Sequence, residues 1–301
     1  MSTTDRLIVL NKDEDSVSFI EAGSGRCLGV LPVGAHPHEV AITSDGGTAY
    51  VSNAMGNSVS IIDVAAMEET GRIEHQDFQF PHDLKISPDG RKLYIAVTYA
   101  NKVFIYERPS HRLLKVVPTG QRLSHMLAPT PDWKYLYVPN LGSNTLSVLN
   151  TKTDEIEKHI SVGQKPEGVA VHPSGAFLYV ANQDENSLYV MSAEHHGLLA
   201  RHPIGDLPVR LVFSPDGKLA FTANRMSHDV SVIDAERHWE IKRIPVGRWP
   251  GGIVFDPAGA RAYVANNKTN DVSVIDVQTL KEIDRFEAGI HPDGIGFLPA
   301  R

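Results

Sequence analysis

Tyr179-Val180-Ala181-Asn182 and Tyr263-Val264-Ala265-Asn266 are two copies of one tetrapeptide. With near relatives it closes on Asn11, Asn53, Val97, Asn140, Asn182, Asn224 and Asn266. The intervals between copies are 42, 44, 43, 42, 42 and 42 residues. Between copies lie runs of β-branched and aromatic residues, bounded by Gly, Pro, Asn and Asp, which signal short strands and hairpins. The copy from Val162 shows the unit most clearly. A Val162-Gly163 turn leads through Pro166-Glu167-Gly168 into an inner strand. A His172-Pro173-Ser174-Gly175 turn follows, then Phe177 to Asn182, a polar loop, Ser187 to Ser192 and a returning outer strand. Four strands per period of this length make one propeller blade.

The ends of the chain belong to the same pattern. Leu7 to Asn11 has the character of a second strand with no inner strand before it, whereas Gly289 to Ile295 is an inner strand with nothing after it. Together they supply a seventh blade, which closes the ring and removes two exposed sheet edges. The expectation is an all-β, seven-bladed propeller forming a single domain over residues 1–301. Length alone suggests about two domains, but no subset of blades buries a complete core.

Composition narrows function. Formal net charge is −7, from 36 acidic and 29 basic residues, and no basic stripe offers a nucleic-acid or anionic-lipid surface. Cys27 stands alone, so an intrachain disulfide is excluded, which suits a reducing compartment. No stretch of about 18 apolar residues is present to span a membrane, and the first residues do not read as a signal peptide. A cytoplasmic location is the resulting expectation.

The Tyr-Val-x-Asn strands, the Ser-Pro-Asp-Gly turns (Ser87 to Gly90, Ser214 to Gly217) and the Val-Ser-Val-Ile-Asp strands (Val230 to Asp234, Val272 to Asp276) resemble the YVTN-type seven-bladed β-propeller family. The resemblance covers nearly the whole chain. It implies the fold, and it leaves activity open among lactonases and lactonising enzymes, streptogramin-type lyases, large subunits of quinone-dependent amine dehydrogenases and non-catalytic scaffolds. Lactonase-like members are understood to use His, Glu and Arg side chains around a channel mouth.

The repeat also gives a register for finding its exceptions. The position after the residue that opens each inner strand, proline in six blades and Ser124 in the third, reads His38, His82, His125, Glu167, Val209, Gly251, Asp293. The next reads Glu39, Asp83, Met126, Gly168, Arg210, Gly252, Gly294. Because blade seven adjoins blade one, Asp293, His38, His82, His125 and Glu167 form a continuous arc, with Val209 and Gly251 as an expected gap and Arg210 beside it. Imidazoles and carboxylates converging on one spot suit acid–base chemistry or a metal. His38, His82, His125 and Glu167 are the candidate ligands of a divalent ion such as Zn, Mn, Fe or Ni, with Glu39 and Asp83 as acceptors for ring N–H groups. Without a metal, His82 or His125 works with Glu167 as base and acid, and Arg210 steadies an oxyanion or a substrate carboxylate. Glu39, Asp83, Arg210, Trp249 and Asp293 are the candidate substrate-binding residues.

Strand alternation sends successive residues to opposite faces, so either His38 or Glu39 is expected to face the channel, not both. His36, Lys165, Trp249 and His291 are expected to rim the mouth. Tyr99, Arg225 and His228 lie in loops on the same face, where contact with a ligand is the alternative to a first reading as polar surface, and His172, His195 and His196 read as solvated turns. Trp133 and Trp239 read as packing, and Cys27 as a small outer-strand residue. The leading function is an enzyme of the lactone hydrolase, isomerase or lyase type, acting on a small anionic or lactone-like metabolite. The alternative is a non-catalytic scaffold whose loops recruit a protein partner.

Overall fold

A computed structural model describes residues 4–300. Seven four-stranded antiparallel sheets follow one another around a central channel. Blades 1 to 6 run in chain order with inner strands at Pro37–Ile42, Pro81–Ile86, Ala128–Pro129, Pro166–Val171, Pro208–Phe213 and Pro250–Phe255. Blade 7 joins Pro292–Leu298 to Arg6–Asn11, Ser16–Glu21 and Cys27–Pro32, so the ring closes as the sequence predicts.

Seven apolar clusters hold the ring, one between each adjacent pair of blades. Ile8 and Phe19 of blade 7 pack with Val51 and Ile62 of blade 1, just as Phe221 and Val232 of blade 5 pack with Ile253 and Val264 of blade 6. The closing interface is therefore built like the others. Burial of this apolar surface is the main stabilising term.

The repeated tetrapeptide does two structural jobs. Its tyrosine is buried, and the hydroxyl reaches a turn of the next blade. Tyr50 meets His111 Nε2 at 2.9 Å, Tyr137 meets His196 Nε2 at 3.0 Å, and Tyr179 meets His238 Nδ1 at 2.8 Å. His196 is thus an inter-blade staple, and His172 likewise meets the Gly217 carbonyl at 2.9 Å. Of the turn histidines expected to be solvated, only His195 lies well out in solvent. The asparagine, fully buried, donates to two side chains on the neighbouring strand: Asn53 Nδ2 to Ser58 Oγ (3.0 Å) and Ser60 Oγ (2.9 Å), and Asn266 Nδ2 to Asp271 Oδ1 (2.7 Å) and Ser273 Oγ (2.8 Å). Glycine makes room for Asn53 and Asn182. A Cβ on Gly34 would lie 2.5 Å from Asn53, and one on Gly163 2.5 Å from Asn182. In blade 2 both members change together: Phe78 stands at the glycine position and Val97 at the asparagine, and the two share one apolar cluster.

Trp133 packs against the cluster between blades 2 and 3. Trp239 and Cys27 are exposed on outer strands, so Trp239 contributes less packing than expected. Among the described residues no helix is long and apolar enough to cross a membrane.

Candidate functional site

Each inner strand opens with a bulge. Pro37 pairs with Asn53 but Val40 pairs with Val51, and the same slip recurs at Pro81/Leu84, Pro166/Val169 and Pro250/Ile253. A bulge puts one extra residue on the strand and breaks the two-residue alternation. Strict alternation therefore does not hold here. His38 and Glu39 face the channel together, in successive layers.

The upper layer is a stack of imidazoles. His82 lies between His38, at 4.1 Å between ring centroids, and His125, at 3.5 Å. Burial, reinforced by neighbouring positive charge, holds the pKa of all three well below the usual 6.5, so they are neutral at neutral pH. Lys12 Nζ lies 3.3 Å from His38 Nε2. An ammonium only donates, so Nε2 accepts and the His38 proton sits on Nδ1, which is buried without a hydrogen-bond partner among the described residues. The same is true of both ring nitrogens of His82. His125 Nδ1 meets Thr98 Oγ1 at 3.0 Å.

Carboxylates end the arc, and their environments differ. Asp293 is fully buried. Burial alone would raise its pKa, but Lys12, His38, Arg225 and Arg210 together hold it far below the carboxylate range. Lys12 Nζ donates to its Oδ2 at 2.8 Å, and Arg225 Nη2 lies 3.6 Å from its Oδ1. Glu167 behaves oppositely. Burial pushes it up to about 7, against the pull of Arg225 and Arg210, and Gln183 Nε2 donates to its Oε2.

The lower layer closes the channel. Arg210 reaches across from blade 5 to pair with Glu39 of blade 1, and its Nη1 lies 3.1 Å from Met126 Sδ of blade 3. Burial would weaken the guanidinium's charge, but Glu39, Asp293, Asp83 and Glu167 raise its pKa. Glu39 lies no nearer than 3.8 Å to His38 Nδ1, so it does not serve as that ring's acceptor. Asp83 does not either. Its oxygens take the Leu127 N–H at 2.7 Å, the Leu84 N–H at 2.8 Å and Lys85 Nζ at 2.7 Å, which ties blade 2 to blade 3.

Two cavities result. One, of about 310 Å³, opens at the histidine mouth and is lined by His38, His125, Glu167, Arg225 and Lys165, with Phe80 and Leu207 among its apolar walls. The other, of about 430 Å³, opens on the face of the Ser-Pro-Asp-Gly turns, with Arg210 and Glu39 at its inner end. Trp249 lines neither cavity; its ring lies under Lys268 Nζ at 5.1 Å to the centroid. The expected gap is also filled. Val209 is buried in the core between blades 5 and 6, and Gly251 makes room for Asp293, whose Oδ1 would lie 2.3 Å from a Cβ there. Ligating atoms of His38, Glu39 and His82 all lie within 4.8 Å of one another and could hold a metal ion. His125 and Glu167 fall outside that set.

Three site residues went unread in sequence or were assigned to loop surface: Lys12, Gln183 and Arg225. Each directly follows the tetrapeptide asparagine, and each is held by the same backbone bond. Gln183 N–H reaches the Lys165 carbonyl at 3.0 Å, Arg225 N–H the Leu207 carbonyl at 3.0 Å, and Lys12 N–H the His291 carbonyl at 3.1 Å. Comparing that position across blades would have found them.

The family described as "Lactonase, 7-bladed beta-propeller" matches residues 5–119 and 149–238. Antigen Lp49 of Leptospira interrogans is 26% identical over 133 residues, a match spanning 42% of this chain but 28% of that protein. Among solved structures, hydrazine synthase of Kuenenia stuttgartiensis superposes with a TM-score of 0.80 at 23% identity, covering 88% of this chain and 90% of the other. The periplasmic gluconolactonase of Pseudomonas aeruginosa gives 0.80 at 20% identity, covering 99% of each. At these identities the superpositions speak to the fold.

Proposed function

We propose, for a chain that belongs to the seven-bladed β-propeller lactonase family, hydrolysis of a small lactone in the cavity at the histidine mouth. The observation that carries this reading is Glu167, a carboxyl pushed up to about 7 on the wall of a cavity that also presents Arg225 and His125. A general base works best when its pKa lies near the working pH. Glu167 takes a proton from a water that adds to the lactone carbonyl. Arg225 holds the oxyanion that forms. The ring C–O bond then breaks, and the proton returns from Glu167 to the leaving alkoxide, which gives a hydroxy acid. Arg225 also suits the carboxylate of that product. The family match supports lactone hydrolysis as the reaction class.

Glu167→Gln is expected to lower kcat/KM on a lactone panel by roughly 10²–10⁴-fold. The wild-type rate is expected to rise with pH through about 7, because the ionised form is the base, and the variant should lack that rise. A wild-type enzyme that opens no lactone, followed by pH-stat titration, sinks the reading.

His82 supports a second reading, a metal ion held by His38, Glu39 and His82, since its two buried ring nitrogens have no partner. Such an ion would act as a Lewis acid on a carbonyl. The site's charges weigh against it. Lys12, Lys85, Arg210 and Arg225 already balance Glu39, Asp83, Glu167 and Asp293, so a divalent ion would have to displace Arg210 from Glu39. Elemental analysis of protein purified without chelators, beside His38→Ala/His82→Ala, separates the two readings. Equal metal content in both proteins discards the metal.

A further inference from the structure

The residue before the opening of every inner strand has a left-handed backbone, and none of the seven is glycine. The φ values are 58° at His36, 64° at Phe80, 57° at Leu123, 54° at Lys165, 53° at Leu207, 57° at Trp249 and 55° at His291. Large residues rarely adopt this conformation, and at all of these positions except Leu123 a following proline disfavours helical geometry further. The surrounding hydrogen bonds hold it. The Phe80 N–H donates to Asn57 Oδ1 at 3.0 Å, the Leu123 N–H to Asn101 Oδ1 at 2.6 Å, and the Leu207 N–H to Asn186 Oδ1 at 2.9 Å, each acceptor lying in the preceding blade. Each carbonyl in turn accepts from the residue after the tetrapeptide asparagine. The backbone is pinned on both sides while the side chain stands over the mouth. Strained positions that a fold actively maintains are good places to look for function.

In blades 2 to 5 these side chains are Phe80, Leu123, Lys165 and Leu207, and all four line the cavity above Glu167. Phe80 lies nearly parallel above His82, at 13° and 6.1 Å, and its ring meets Tyr99 at 5.0 Å. Below the collar Gln183 is bonded to Glu167, Thr98 to His125 and Lys12 to Asp293. Against Phe80, Leu123 and Leu207 a substrate hydroxyl would find only carbon, which disfavours burying one there.

We infer that Phe80, Leu123 and Leu207 form a specificity collar, and that the substrate is a lactone carrying an alkyl or aryl substituent rather than a sugar lactone. This rests on the hydrolase reading above and names its substrate class. The lactone carbonyl points down to Glu167 and Arg225, and the apolar substituent lies against the collar.

The test compares δ-decalactone with glucono-δ-lactone on the wild-type protein and on Phe80→Asn and Leu207→Asn. Asparagine tolerates the left-handed backbone, and thermal melts check that each variant folds. The wild type is expected to favour δ-decalactone by at least roughly tenfold in kcat/KM, and each variant to lose about tenfold on that substrate alone. Preference for glucono-δ-lactone, or δ-decalactone rates unmoved by both substitutions, overturns the collar and leaves the hydrolase reading standing. No turnover of either lactone overturns the hydrolase reading itself.

Discussion

At one mouth of the channel a cavity of about 310 Å³ is lined by His38, His125, Glu167 and Arg225; at the other, a cavity of about 430 Å³ is walled by Val171, Leu211, Phe213 and Ile253. The same inner strands supply both. The difference comes from where each strand stops being regular. Before the bulge, residues need not pack between blades, and they carry charge and imidazole. After it, alternation resumes and residues such as Leu211 and Ile253 belong to the inter-blade cores. The lesson is that a repeat holds its chemistry where its hydrogen-bond ladder is interrupted.

The division between the mouths rests on one ion pair, so the largest effect is expected there. Glu39→Ala would leave Arg210 buried with Asp83, Asp293 and Glu167 as its remaining, more distant counter-charges. Removing one partner of a buried pair costs about 3–5 kcal/mol. Denaturant unfolding should show most of that loss, and a change under about 1 kcal/mol would mean that the mouths are not separated by this pair.

A smaller effect is expected from acid. His38, His82 and His125 have depressed pKa values in the fold. Their contribution to stability is complete above the usual 6.5 and is lost as pH falls below it, because the unfolded chain then takes up protons that the fold refuses. Glu167 has the opposite sign: its contribution is full below 4.5 and fades as pH rises through about 7. Melting temperature against pH should therefore fall on the acid side, and His82→Phe should flatten that fall. An unchanged acid slope in His82→Phe would count against a buried, neutral histidine mouth.

The fold was legible because its determinants are local and repeated. Asn53 and Asn266 need partners five and seven residues on, and Tyr50 and Tyr179 need a turn one blade away, so each repeat writes its own contacts into the sequence. The arc of histidines and carboxylates was legible for the same reason, since it occupies one column of the register. The rest depended on geometry that the repeat does not encode. Arg210 meets Glu39 across the channel, 171 positions away in the chain, and no periodicity announces such a pair. Gly251 read as a gap because a glycine shows nothing of the neighbour that fills its space. Lys12 stands in a different column, one residue past the asparagine, which it shares with Arg225, and nothing in the column after the strand-opening residue points to it.

The seventh blade has a consequence for how the chain is made. Arg6–Asn11, Ser16–Glu21 and Cys27–Pro32 are synthesised first, yet the strand that covers the inner edge of Arg6–Asn11 is Pro292–Leu298. While the ribosome adds the six intervening blades, the nascent chain carries an uncovered strand edge, the kind of surface that pairs with the wrong neighbour. Completion of the ring is thus deferred until Pro292–Leu298 has been made, and the strands of blade 7 made ahead of the other six blades wait longest for their partner.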